Sequence, residues 1–366
     1  MRIVRLAMRN FRSYAAAAVE LGAGVTVVSG RNGAGKTNLL DALYFGCTGR
    51  SARTTNEREL VRFGEQVVRV EVTTEAPDGL HELSVGFTPG EPKRMMADGV
   101  RVERLLDVPG RPLVSVFLPE RLELIKGTPS LRRAHVDQLV TALWPARVTT
   151  RRAYAQALAQ RNALLARVRG GSAAPASLSA WDRELARHGI ELMADRRAAI
   201  AAVDEHFADR AAELGLDGDP AVAYRPRSKA ADADELAAEL AERHAQDLER
   251  GFTGHGPHRD DLLLSREGRE LRAYGSQGQQ RLGLLALLLA EREAIAATRE
   301  ATPVMLLDDV MSELDRDRRE RLVGLLRGRG QSVITATDLE HVPGANEPDV
   351  TRLSVADGVL AGAGAS

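Results

Sequence analysis

A single cysteine, Cys47, stands among 366 residues. One thiol excludes an internal disulfide, a CxxC zinc hook and any cysteine-rich metal site. Lysine is nearly missing as well. Of 50 basic residues only Lys36, Lys93, Lys126 and Lys229 are lysines, the rest being arginine in an alanine-rich chain. That skew is the mark of a GC-rich coding sequence, so arginine clusters weigh little and a lysine weighs more. No sign of charge dominates. The 50 basic residues face 51 acidic ones, a net charge of −1, which argues against coating nucleic acid by bulk electrostatics and requires any basic surface to be local. Long apolar runs are absent too: the longest, Leu282–Ala290, covers nine residues against the roughly 20 a spanning helix needs. The N-terminal MRIVRLAMRNF has no apolar signal core. A soluble, cytoplasmic protein with no membrane partner is expected.

The hydrophobic fraction of 44% suits a folded globular chain, and its length suits two substructures. Met1–Leu6 and Ala18–Leu21 alternate as strands do, and Val25–Ser29 is a compact β-branched run of the buried parallel type. Asn38–Cys47 has helical spacing, while Val67–Thr74, Glu82–Thr88 and Leu113–Leu118 read as strands. From Leu131 to about Leu214 the chain is Ala/Leu/Arg-rich and helical. After a short extended piece, Ala221–Tyr224, a further helical stretch covers Asp232–Arg250. The longest helices should run to about 25–30 residues, or about 40–45 Å. Strand character returns at Leu262–Ser265, Pro303–Leu307 and Gln331–Thr335, with a helix from Gln277. The expected division is a core built from residues 1–130 and 251–360, a helical insert at 131–250, and a disordered tail at 361–366.

Gly30-Arg31-Asn32-Gly33-Ala34-Gly35-Lys36-Thr37 satisfies G-x-x-x-x-G-K-[ST], directly after an apolar strand and before a helix. The spacing has a chemical reason. Glycines let successive backbone N–H groups turn inward onto phosphate oxygens, and the helix N-terminus adds partial positive charge. Lys36 would reach the β/γ-phosphates and Thr37 would ligate Mg²⁺. Pro303–Leu307 is an apolar strand ending in Asp308 and Asp309. The first acid is placed to hold Mg²⁺ and the second to orient or deprotonate water. Ser312-Glu313-Leu314-Asp315 follows, and Ser276-Gln277-Gly278-Gln279 opens a helix upstream, an anion-binding arrangement by the same dipole argument.

Cradle, signature helix, acidic strand and S-x-L-D turn, in that order, resemble the ABC-type ATPases of the SMC-like DNA-repair branch. The blocks Met8–Tyr14 (MRNFRSY), Thr48–Glu65, Phe117–Asp137, Gly256–Leu262 (GPHRDDL), Gly275–Arg281 (GSQGQQR) and Leu306–Asp315 (LLDDVMSELD) narrow this to a resemblance to the RecF family of bacterial recombination mediators. The implied fold class is α/β: an ABC-type ATPase head, with a P-loop core and mixed sheet, plus an inserted α-helical lobe. The resemblance implies that Asn32 to Asn38 hold the phosphates of ATP and that Thr37 and Asp308 ligate Mg²⁺. Asp309 stands where relatives carry a catalytic Glu, with Lys36 as its partner in catalysis. Ser276, Gly278 and Gln279 would contact ATP bound to the other subunit of an ATP-dependent homodimer, Asp315 would lie at the dimer seam, and Arg12 would lie near the nucleotide. Thr337 occupies the position of the wider superfamily's switch histidine, so hydrolysis should be slow. The family implies binding to gapped or duplex–single-strand junction DNA, with RecR, RecO and RecA as partners. The ATP-binding subunit of a membrane transporter is the alternative.

Other residues read more plainly. Arg132-Arg133, Arg151-Arg152 and Arg196-Arg197 are expected on solvated helix faces. Arg50, Arg53, Arg58 and Arg62 are better candidates for DNA-backbone contacts. Cys47, Trp144 and Trp181 should be packing residues, and His258 in GPHRDD acquires no role from sequence.

Overall fold

The structure, a computed structural model, describes residues 1–299 and 301–362. Its strands and helices follow in chain order. First come β1 (Arg2–Phe11), β2 (Tyr14–Glu20), β3 (Val25–Ser29), α1 (Lys36–Thr48), β4 (Val68–Ala76), β5 (Gly79–Phe87), β6 (Arg94–Ala97), β7 (Val100–Val102) and β8 (Val114–Phe117). A mainly helical stretch continues with α2 (Glu123–Lys126), α3 (Pro129–Leu143), α4 (Val148–Arg169), α5 (Leu178–Glu213), β9 (Ala221–Arg225), α6 (Ala233–Ala241), α7 (His244–Arg250), β10 (Asp261–Arg266), β11 (Arg269–Glu270), α8 (Leu271–Tyr274) and α9 (Gln277–Arg299). The chain then adds β12 (Val304–Leu307), α10 (Arg316–Leu326), β13 (Ser332–Ala336), β14 (Thr351–Ala356) and β15 (Val359–Gly362).

Two compact units result. The first comprises Met1–Arg121, Glu213–Gly215 and the described chain from Ile295 onward. It holds two six-stranded sheets, ordered β2-β1-β4-β5-β6-β7 and β15-β14-β3-β13-β12-β8. Ladders in the former are antiparallel. In the latter β14, β3, β13, β12 and β8 run parallel, and β15 closes one edge antiparallel. The parallel strands β12 and β13 are buried at every residue, which is why their sequences, VMLL and SVITA, show no alternation. Leu39, Leu40, Leu43 and Phe45 of α1 share one apolar cluster with residues of both sheets. Cys47 is buried there, and burial pushes its thiol up to about 12, so it behaves as a small apolar residue.

The second unit comprises Leu122–Ala212 and Leu216–Ala294. It combines helices with a small sheet ordered β11-β10-β9. Its longest helix, α5, has 36 residues, about 54 Å at 1.5 Å per residue, longer than the periodicity suggested because no proline interrupts it. The division also departs from the expected insert at 131–250. Residues 251–294 pack with the helices because β10 pairs with β9 and because carboxylates of the GPHRDD block bind arginines of α3 and α5. Asp261 takes Arg132 at 2.6 and 3.0 Å, and Asp260 takes Arg196 at 3.2 Å. Arg132 and Arg196 are therefore buried clamps rather than solvated residues. Trp181 packs on an apolar cluster, while Trp144 ends α3 and carries the Arg147 guanidinium 4.0 Å from its ring centroid. Of the expected tail, Ala361 and Gly362 pair with Ser354 and Leu353; residues 363–366 lie outside the described residues.

Candidate nucleotide site

The cradle is the connection between β3, at the middle of the parallel sheet, and α1. Arg31, Asn32 and Gly33 are exposed at its mouth, whereas Ala34, Gly35 and Lys36 are buried. Gly35 has φ 118°, in the region that excludes side chains, and a β-carbon there would sit 3.0 Å from both Ser13 Oγ and Tyr14 Oη. The MRNFRSY block thus braces the cradle. The Tyr14 hydroxyl donates to Gly35 O at 2.9 Å, and Asn38 Nδ2 donates to Ser13 Oγ at 2.9 Å. Arg12 reaches Asp41 on α1 through Nε at 3.0 Å and Nη2 at 2.9 Å, and Asp41 also accepts from Ser51 and Ala52 N. Arg12 consequently fixes the helix that follows the cradle. A second brace comes from the other end of the chain: the turn between β14 and β15 donates Gly358 N to Ala34 O at 3.1 Å.

Lys36 folds over the loop, its ammonium donating to Gly30 O at 2.7 Å and Arg31 O at 3.1 Å. Burial lowers its pKa, and the charges of Asp309 and Asp308 oppose that shift. The acidic strand β12 is separated from β3 by β13, and β13 supplies what holds the carboxylates. Thr335 Oγ1 donates to Asp308 Oδ1 at 2.7 Å and accepts from Asp309 N at 2.9 Å. Thr37 Oγ1 donates to Asp308 Oδ2 at 2.8 Å. Burial raises the pKa of Asp308, opposed by these two hydroxyls and reinforced by Asp309 and Glu120. Asp309 has φ 46° and ψ 28°, a left-handed conformation that is uncommon outside glycine and frequent at functional sites.

This donor set fits Mg²⁺. Thr37 and Asp308 offer hard oxygens already in contact, beside a second carboxylate that raises the local demand for a cation. Among the described residues no group of three or more His, Cys, Asp or Glu is arranged to hold a metal, so the ion would draw its other oxygens from phosphates and water. Sequence reasoning missed Thr335, whose role depends on strand order, and Glu120, which follows β8. Position 337 carries threonine, and its hydroxyl lies 3.1 Å from Nδ1 of His341.

The signature residues belong to the second unit. Ser276 Oγ accepts from Gln279 N at 3.2 Å while Gln279 Oε1 accepts from Ser276 N at 2.8 Å, a reciprocal capping box at the start of α9. Buried Gln280 anchors the turn by donating to Leu271 O and Gly275 O. Ser276, Gln277 and Gly278 stay exposed, with the N-terminus of a 23-residue helix behind them. Asp315 caps α10, accepting from Arg318 N at 2.9 Å. Of the expected DNA-facing arginines, Arg53 is engaged by Asn38 at 3.3 Å and Glu120 at 3.8 Å.

Cradle, acidic strand and exposed signature cap on this fold define an ABC-type ATPase head. Residues 5–94 match the model of an AAA domain. A curated relative from Myxococcus xanthus, the DNA replication and repair protein RecF, is 39% identical over 99% of this chain and 97% of its own. Proteins of the same name from Herpetosiphon aurantiacus and Streptomyces avermitilis are 35% and 39% identical over 98% of this chain and 99% of theirs. The chain belongs to the RecF family. A solved structure of the recombination mediator protein RecF-ATP in the RecFOR pathway superposes with a TM-score of 0.86 at 27% identity, covering 99% of this chain and 97% of that one. An SMC head bound to the C-terminal winged-helix domain of ScpA shares the fold at TM-score 0.58 and 17% identity.

Proposed function

We propose that this chain is an ATP-dependent DNA-binding protein of the RecFOR recombinational repair pathway, acting in the cytoplasm. ATP bound at Gly30–Asn38 would be sandwiched against Ser276, Gly278 and Gln279 of a second copy, giving a dimer that holds gapped or junction DNA. With RecO and RecR the dimer would promote RecA loading, and slow hydrolysis would release it. The observation that carries this reading is the coexistence, in one chain, of a braced phosphate cradle and an exposed, capped helix N-terminus, each offering donors for an anion. Membership of the RecF family favours it over a transporter subunit, and no described helix is long and apolar enough to cross a membrane.

The residues divide the chemistry. Backbone N–H groups of the cradle and Lys36 bind and orient the phosphates. Mg²⁺, when bound at Thr37 and Asp308, would neutralise charge developing on them. Asp309 would orient the attacking water and accept its proton. The test is light-scattering mass with ATP, ADP or no nucleotide, with and without gapped DNA. The wild type should double its mass with ATP alone or with DNA; a mass indifferent to nucleotide would refute the switch. Asp309→Asn should bind ATP normally and accumulate a long-lived DNA-bound dimer, so ordinary turnover by that variant would remove Asp309 from the water-activating role.

A further inference from the structure

The GPHRDD block, silent in sequence, builds a second anion site. An open groove of about 400 Å³ in the second unit is lined by Arg227, Arg250, Phe252, Gly254 and Arg259. The three arginines are exposed, and none of them is ion-paired with a carboxylate among the described residues. Phe252 keeps 43% of its surface exposed, and the Arg259 guanidinium lies 5.3 Å from its ring centroid. Nearby Arg133 has its pKa lowered chiefly by burial and also by Arg196 and Arg259, with Asp261 and Asp260 opposing the shift.

The loop behind the groove is anchored by hydrogen bonds. Of the described residues 251–260, Phe252 and Arg259 alone are exposed; the rest anchor the loop. Thr253 is tied to Asn162 and Arg161, and Gly254 N donates to Asp247 Oδ1 at 2.9 Å. Gly256, at φ 122°, passes so close to the Tyr154 hydroxyl that a β-carbon would stand 3.0 Å from it. His258 Nε2 lies 2.9 Å from Thr253 O, and Nδ1 lies 2.7 Å from the Tyr154 hydroxyl. A carbonyl only accepts, so Nε2 carries a proton; burial pushes the ring down to about 4, so near neutral pH it is uncharged and Nδ1 accepts from the tyrosine hydroxyl. Asp260 closes the loop by accepting from Tyr224, from Arg196 and, at 2.7 Å, from Arg227 N. The buried acids and the histidine therefore hold Arg227 and Arg259 in place while leaving their guanidiniums to solvent.

Forked cations without acidic partners bind phosphate oxygens bidentately, and an exposed aromatic ring beside them stacks an unpaired base. We propose that this groove binds single-stranded DNA, Arg227, Arg250 and Arg259 on the phosphodiesters and Phe252 under a base, so that the unpaired side of a junction docks on the second unit. The assignment rests on the DNA-binding reading above and names a surface for it. Titrations of a tailed duplex and a blunt duplex, followed by fluorescence anisotropy over a salt series, test it with the full-length protein and ATP. Arg227→Ala/Arg259→Ala should flatten the log–log salt slope for the tailed duplex by about 1.4, two single-strand contacts at about 0.7 each. Phe252→Ala should weaken the tailed duplex about tenfold, within the range for one base on an aromatic ring, and leave the blunt duplex unchanged. Unchanged thermal melting and ATP affinity would show that the exposed sites were altered without harm to the fold. Wild-type slope and affinity in both variants would overturn the groove and leave it to an acidic protein segment. A wild type with no affinity for either DNA would overturn the DNA reading itself.

Discussion

The phosphate cradle and the GPHRDD loop are both arginine- or lysine-bearing loops, yet they treat positive charge in opposite ways. Lys36 is buried, held by two carbonyls and flanked by two aspartates. In the GPHRDD loop the buried polar network is a frame of Arg132, Arg161 and Arg196 against Asp261, Asp247, Asp182, Asp137 and Asp260, and the unpaired arginines are turned outward. The first design suits a small ligand that brings its own cation and must be enclosed. The second suits a polymer passing over a surface. Near-neutral net charge conceals both, since paired internal charges cancel without removing a local basic surface.

The comparison can be broken most forcefully at the cradle. Lys36→Met should abolish ATP binding and with it nucleotide-dependent dimerisation, while urea unfolding stays close to wild type. A fluorescent ATP analogue and light scattering check this, and a surviving nucleotide-dependent dimer would contradict the role of Lys36. The frame should respond the other way. Arg196→Met strands Asp137 and Asp260 in the interior and should cost about 3–5 kcal/mol, the usual penalty for removing one partner of a buried ion pair. Denaturant titration should show that loss, and ATP affinity of the remaining folded protein should not change.

A pH scan sharpens the contrast at a smaller scale. His258, ordinarily near 6.5, is depressed to about 4, chiefly by burial and further by Arg259 and Arg133. The unfolded chain therefore binds a proton that the folded chain refuses. The stability His258 contributes is full above about pH 6.5 and is lost as pH falls from about 6.5 to about 4, amounting to about 3 kcal/mol. Replacing His258 with Gln should flatten that part of the stability–pH curve, and an unaltered curve would contradict the neutral-ring assignment. The smallest effect belongs to the cradle's brace: Tyr14→Phe removes the hydrogen bond to Gly35 O and should cost about 1 kcal/mol, with a modest weakening of ATP binding in the same titration.

The parts of the site that sequence made legible are local. Gly30–Thr37, the apolar strand before Asp308 and the S-x-x-Q opening of α9 each occupy one short stretch, so spacing, periodicity and capping chemistry reveal them. Thr335 was hidden because its contact with Asp308 arises from β13 lying beside β12. Gly358 was hidden because its hairpin reaches the cradle across the whole length of the chain. Arg12 is placed near the nucleotide by resemblance; its grip on Asp41, on the helix that opens at the cradle, joins stretches that spacing does not connect. Arg132 and Arg196 looked like surface charge because their helices are arginine-rich; burial is decided by the acids that meet them, and those lie in another part of the chain.

The amino-acid sequence by itself thus determined the α/β class, the phosphate loop, the acidic pair and the family, because backbone chemistry at fixed spacing needs few long-range partners. It also determined that a zinc hook is impossible, since Cys47 stands alone. The tertiary structure decided which cations are paired and which are free. Arginines of similar sequence surroundings end as a buried clamp or as an exposed cation, and the difference lies in whether the fold delivers a carboxylate within hydrogen-bonding distance, which a one-dimensional spacing does not encode.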